Sequence, residues 1–214
     1  MKNLLLIFIP ILSFLPMQFN IKKFLIIVIF ISTLAFQNNS YSNPNGINVE
    51  DFGIISLMYH RFEENKYPST NIKIDDFKKH LEIIEKSDIH FVNPKEFETE
   101  LKNNKKERKI LLTIDDGFSS FYENAWPILK EREIPFILFV STREVGAFNY
   151  MSWEQIREIS QYDFVEIGNH SHTHEYLVDE NIKLIKADIE KSISIFNREL
   201  KKKFIFFFIS IWRI

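Results

Sequence analysis

Cysteine is missing altogether from this chain of 214 residues, which excludes a disulfide framework and any thiolate chemistry, catalytic or metal-binding. An excess of one charge is missing too: 27 basic residues face 29 acidic ones, for a formal net charge of -2. That balance gives no electrostatic reason to expect nucleic acid as a partner, and no basic stripe with interleaved aromatics is present. The lysine-rich patches at 102–108 and 201–203 read as solvated loop charges. Long hydrophobic runs are also scarce. Leu4–Leu15 and Phe24–Phe36 have roughly a dozen residues each, short for a helix that must cross about 30 Å of hydrocarbon. No internal repeat and no low-complexity linker divides residues 47–200.

What is there points to one exported domain. Hydrophobic residues make up 45% and charged residues 26%, a composition that supports a packed core and excludes global disorder. Lys22 and Lys23, the apolar run behind them, and Ser40-Tyr41-Ser42 as a small-x-small cleavage site have the layout of a signal peptide. An uncleaved N-terminal membrane anchor is the other reading of residues 1–42. Both imply a periplasmic or extracellular protein, with membrane association under the second. The turn-rich Asn43-Pro44-Asn45-Gly46 opens a linker over 43–52, and the folded domain is expected over 53–214.

Within that domain, apolar runs alternate with amphipathic segments. Buried strands are predicted at Phe52–Tyr59, Ile89–Val92, Lys109–Ile114, Phe136–Val140, Phe164–Ile167 and Phe204–Ile209. Helices are predicted at Lys73–Lys86, with Phe77, Leu81 and Ile84 on one face, from Asn93-Pro94 to Lys102, and over Ser119–Glu131. A further helix opens at Ser152, where Gln155 completes a capping box. The last is a long charged helix, Asp179–Leu200, with Ile182, Ile185, Ile189, Ile193 and Phe196 at helical spacing. Continuous apolar strands alternating with helices indicate an α/β fold with a parallel sheet, open or closed into a barrel. In either form, functional residues gather at the C-terminal ends of strands.

Two motifs stand at such ends. Thr113-Ile114-Asp115-Asp116-Gly117 ends one strand, and Gly168-Asn169-His170-Ser171-His172-Thr173-His174 follows another. Taken alone, Asp-Asp-Gly fits a turn with a helix N-cap. Two adjacent carboxylates are nevertheless costly to bury without a cation or hydrogen bonds. His170 and His174, four apart, would face the same way on a helical turn and could reach one ion. Together the motifs offer two neutral nitrogens, one carboxylate ligand and a second carboxylate free to act as a base. His172 is expected to point away from the ion or to support it indirectly, and His60 is a candidate for the same mouth. His80 and His90 have no context that recommends them.

These motifs resemble those of the polysaccharide deacetylase family, which shares the NodB-homology domain: Thr-Phe-Asp-Asp-Gly, then His-Ser/Thr-x-x-His. Supporting similarity runs from Ile55 to Leu200 and includes Leu57-Met58-Tyr59-His60, Ser152-Trp153-Glu154-Gln155 and Glu166-Ile167-Gly168. The resemblance implies a distorted (β/α) barrel, a divalent metal (most often zinc, with cobalt, nickel or iron as alternatives) and hydrolysis of N- or O-acetyl groups on a glycan. Carried over by position, it implies Asp116, His170 and His174 as metal ligands and Asp115 as general base. The family's downstream motifs, including Tyr-Pro-Phe-Gly and a later histidine acid, have no counterpart before Ile214. A barrel lacking its last strands is therefore expected. Residues 209–214 can be encoded so that a one-base shift reads Ser-Tyr-Pro-Phe-Gly-Glu, which points to a frameshifted gene. A truncated product with at most residual metal or glycan binding is the alternative expectation. Neither the particular glycan nor an oligomeric state can be read from the sequence.

Overall fold

The computed structural model describes residues 53–103, 107–176, 180–201 and 206. The calls on residues 1–52 and most of the strand expected at Phe204–Ile209 lie outside them. Its elements follow the predicted alternation. Strand β1 (Ile54–Tyr59) leads through the two-residue strands β2 (Arg61–Phe62) and β3 (Asn71–Ile72) into helix α1 (Ile74–Glu85). Strand β4 (Ile89–Phe91) is followed by a 3₁₀ turn at Pro94–Glu96 and helix α2 (Phe97–Lys102). Next come β5 (Arg108–Ile114), a π-helical turn at Phe121–Ala125, α3 (Trp126–Glu131), β6 (Phe136–Val140), α4 (Trp153–Ile159), β7 (Val165–Asn169) and α5 (Ile182–Leu200).

Five strands form one parallel sheet centred on β5. Strand β1 pairs along one side of it, from Ile54 opposite Lys109 to Tyr59 opposite Ile114. On the other side β4 pairs with the first half of β5 and β6 with the second half. Strand β7 then pairs with β6, Gly168 opposite Phe139 and Asn169 opposite Val140. Among the described residues the sheet is open, and β1 is an edge strand. Its residues Ile55 and Met58 are well exposed, so the expectation of a fully buried first strand is corrected: only Tyr59 is buried.

The period-2 alternation of the strands divides their side chains between two faces. Leu112, Ile114, Phe136, Leu138, Val140, Val165 and Ile167 join the main core with α1, α3 and α4. Five phenylalanines, Phe62, Phe77, Phe121, Phe136 and Phe196, are fully buried. Leu111, Ile137 and Phe139 form a smaller cluster on the opposite face. The predicted inward residues of α1, Phe77, Leu81 and Ile84, are buried. Helix α4 carries the expected capping box, with Ser152 Oγ accepting from Gln155 N–H and Gln155 Oε1 accepting from Ser152 N–H.

Helix α5 corrects the predicted stripe. Ile182 and Ile193 are exposed, whereas Ser192 and Phe196 are buried. Ile185, Ile189 and Phe196 of the predicted stripe do turn inward, and Asp188 and Ser192 join them, so the inward face is partly polar.

Candidate metal centre

The C-terminal ends of β1, β5 and β7 converge on one mouth. Asp115 N–H donates to Tyr59 O at 2.8 Å, and His170 N–H donates to Val140 O at 3.0 Å, so the backbone itself fixes where the two motifs meet. After β5 the chain turns sharply. Asp116 has φ 71° and Gly117 φ 72°, a left-handed pair that a glycine at the second position makes affordable. Neither aspartate caps the following helical segment, which begins at Ser119 and is π-helical over Phe121–Ala125.

Asp116, His170 and His174 come together. Asp116 Oδ1 lies 3.0 Å from His174 Nε2 and 3.3 Å from His170 Nε2, and the two imidazole nitrogens are 3.1 Å apart. These three residues are the one group of potential ligands that meets among the described residues. The backbone route is not the expected one: residues 170–176 form a loop rather than a helical turn, with left-handed Ser171 (φ 69°) and His174 (φ 56°). The i, i+4 spacing still brings the rings together, 4.6 Å apart and edge to face.

Asp116 Oδ1 is buried and close to two nitrogens, yet neither contact has hydrogen-bond geometry. A buried carboxylate oxygen without a donor costs free energy that a cation can offset. Donors about 2.0–2.2 Å from a tetrahedral zinc stand about 3.3–3.5 Å apart. The observed triangle is within a few tenths of an ångström of that, so the residues fit a divalent ion.

Asp115 sits beside the triangle without joining it. It is 1% exposed, and its Oδ1 also has no hydrogen-bond partner. Burial pushes its carboxyl up to about 7, the Asp116 charge adding to this and the two imidazoles opposing it. For Asp116, burial acts in the same upward direction. The adjacent His170 and His174 outweigh it and hold the carboxyl well below the usual carboxylate range. His174 is raised in return, chiefly by Asp116. One carboxylate is thus stabilised in its charged form beside the two imidazoles, while burial raises its neighbour's affinity for a proton.

His60, which the sequence offered only as a candidate, lies near the group: burial lowers its affinity for a proton, and it feels the charges of Asp116, His170 and His174. His172 points elsewhere, its Nδ1 2.9 Å from Thr142 Oγ1. His80 contacts the Tyr59 hydroxyl at 2.8 Å and takes no part. Several neighbours had no signal in the sequence. Phe118 and Tyr150 pair across a short backbone bridge with ring centroids 4.8 Å apart, and the Arg61 guanidinium lies 3.5 Å over the Phe118 ring. Asp188 and Ser192 of α5 reach the histidine loop. Only the polar interruptions of the α5 stripe could have marked them.

A parallel α/β sheet that gathers two imidazoles and a carboxylate at its C-terminal edge, beside a protonatable aspartate, has the layout of a metal-dependent hydrolase. Residues 102–210 match the polysaccharide deacetylase family, and the chain belongs to it. YxkH of Bacillus subtilis (strain 168) is 28% identical over 123 residues, covering 56% of this chain and 42% of that protein. The poly-beta-1,6-N-acetyl-D-glucosamine N-deacetylase of Staphylococcus aureus (strain MSSA476) is 25% identical, with 85% of this chain and 75% of that protein covered. Among solved structures, IcaB from Ammonifex degensii superposes with a TM-score of 0.65 at 28% identity, over 73% of each chain. The Streptococcus pyogenes deacetylase PplD shows the same fold, with a TM-score of 0.65 at 23% identity over 73% of each chain. The fold is therefore the NodB-type α/β fold expected from the sequence motifs.

Proposed function

We propose that this protein hydrolyses acetyl groups, in the first instance N-acetyl groups, from an extracytoplasmic glycan. The observation that carries the reading is the triangle of Asp116, His170 and His174 with the buried, unligated Asp115 beside it. The Staphylococcus aureus relative makes a polymer of β-1,6-linked N-acetylglucosamine the first substrate to offer. The signal-peptide layout of residues 22–42 fits a site of action outside the cytoplasm.

Asp116, His170 and His174 hold the ion, zinc being the metal that best suits two imidazoles and one carboxylate in a compact triangle. A divalent cation bound there supplies Lewis acidity, making water more acidic and the acetyl carbonyl more electrophilic. Asp115 accepts the proton of the attacking water; its raised affinity for a proton, near the working pH, suits a general base. The oxygen of that water adds to the acetyl carbon, the sugar nitrogen takes up the proton held by Asp115 as the C–N bond breaks, and a free amine and acetic acid, which ionises to acetate, result. Asp115 is buried, and the loss of solvation is what holds its proton affinity up.

Release of acetate from poly-N-acetylglucosamine by the zinc-loaded protein is the test. Asp115→Asn is expected to lower kcat by about 10²–10⁴-fold with zinc content unchanged. Full activity in Asp115→Asn, or no acetate released by a folded, zinc-loaded wild type, contradicts the assignment.

A further inference from the structure

The loop that carries both imidazoles is held from outside by one carboxylate. All five backbone N–H groups from His170 to His174 have acceptors. His170 N–H donates to Val140 O at 3.0 Å, which extends the β6–β7 pairing. Ser171 N–H donates to Asn169 Oδ1 at 2.9 Å, and His174 N–H donates to Ser171 Oγ at 3.0 Å, so those two are satisfied within the loop. The two in the middle both turn to helix α5: His172 N–H donates to Asp188 Oδ2 at 2.7 Å and Thr173 N–H to Asp188 Oδ1 at 2.9 Å. The Thr173 hydroxyl adds a third bond to Asp188 Oδ1 at 2.6 Å. One turn further along the same helix, Ser192 Oγ accepts from Asn169 Nδ2 at 2.9 Å and donates to Ile189 O at 2.8 Å.

A carboxylate receiving successive backbone N–H groups makes short, charge-assisted bonds, stronger than neutral ones. The loop needs such an anchor. Ser171 and His174 both have positive φ, which costs a non-glycine residue about 1–3 kcal/mol and persists only where surrounding contacts impose it. Asp188 grips the two residues between these strained points, and His170 and His174 flank the gripped pair. No part of Asp188 belongs to the cation triangle. Its influence on the imidazoles passes through the backbone.

We propose that Asp188 is the positioning residue of the metal centre: by anchoring the His172 and Thr173 amides to α5, it sets the separation and aim of the His170 and His174 rings, and so the affinity of the site. This rests on the cation reading given above, while the anchoring itself can be measured without a metal. Asn at position 188 keeps the shape but offers one acceptor oxygen, leaving one backbone donor facing an amide NH₂; Ala offers none.

The test uses the full chain, with Co(II) alone as the probe. In metal-free protein, Asp188→Asn is expected to speed amide hydrogen exchange at His172 and Thr173 by about tenfold or more. The same variant is expected to weaken Co(II) binding about 10–100-fold and to change the visible absorption of the bound ion, with Asp188→Ala weaker still. Glu190→Gln, on the exposed side of α5 and paired with Lys186 at 3.7 Å, leaves both readouts at wild-type values. Wild-type exchange at both amides in Asp188→Asn overturns the proposal, even if Asp188→Ala fails to fold. So does wild-type Co(II) affinity and absorption in folded Asp188→Asn. A wild type that takes up no Co(II), while Asp188→Asn still loses protection at both amides, leaves the anchor standing and removes the cation reading instead.

Discussion

Asp115 and Asp116 are neighbours in sequence, share the same two histidines, and are driven apart by them. Asp116 is close enough to both imidazoles for their pull to exceed the cost of burial, so it stays ionised. Asp115 receives less of that pull and carries the burial cost almost uncompensated. The consequence for stability has a definite sign. Asp115 binds its proton more tightly in the folded chain than at its ordinary value of 3.8, up to about 7. Between these values the unfolded chain is ionised while the folded one resists, so stability is lost as pH rises through the window and the loss is complete above the folded value. Other histidines also titrate there, His60 and His172 with the opposite sign. The comparison that isolates Asp115 is therefore with Asp115→Asn. In metal-free protein the two should melt together near pH 4, and at pH 8 the Asn variant should melt at least about 5 °C higher. Parallel melting curves across this range would show that Asp115 is not buried as described.

At the scale of elements, the site depends on how strand β7 pairs beside β6. Gly168 lies opposite Phe139, and a Cβ at that position would stand 2.3 and 2.4 Å from two carbons of the phenylalanine ring. The ring is itself nearly buried, so it has little room to retreat. Gly168→Ala is expected to cost about 1–3 kcal/mol in denaturant unfolding and to shift Asn169 and His170 off their register; a second change, Phe139→Leu, should recover part of that loss. Equal midpoints for wild type and Gly168→Ala would contradict the tight packing.

These elements were unequally visible in the chain. Strands β5 and β6 and helices α1 and α4 declared themselves, because continuous apolar runs, a 3.6-residue stripe and a capping box are local signals. The Asp/His residues were also visible, since their types are rare behind strands. The inward face of α5 was visible only in part: hydrophobic spacing found Ile185, Ile189 and Phe196, but it also pointed to the exposed Ile182 and Ile193 and passed over Asp188 and Ser192. The loop form of 170–176 was hidden for a related reason. Histidines four apart suit a helical turn, and what bends the chain away from one is a carboxylate on a distant helix. Such tertiary partners leave no trace in local sequence.

Taken whole, the molecule uses its parallel sheet to collect groups that are far apart in the chain. Strand β1 brings His60, β5 brings Asp115 and Asp116, β7 brings His170 and His174, and α5 braces the last pair from behind. The charge balance of the chain plays no visible part in this; the proposed chemistry rests on a few buried groups whose surroundings shift their affinity for protons. Membership of the polysaccharide deacetylase family and the shared NodB-type fold agree with that layout. The most direct measurement is X-ray absorption of the zinc-loaded chain, with elemental analysis of wild type, His170→Ala and His174→Ala. One zinc per chain is expected, with nitrogen and oxygen neighbours at about 2.0–2.2 Å, two imidazoles among them, and loss of the metal in both variants. Zinc retained unchanged when either histidine is removed, or no zinc in the folded wild type, would contradict the proposed metal centre.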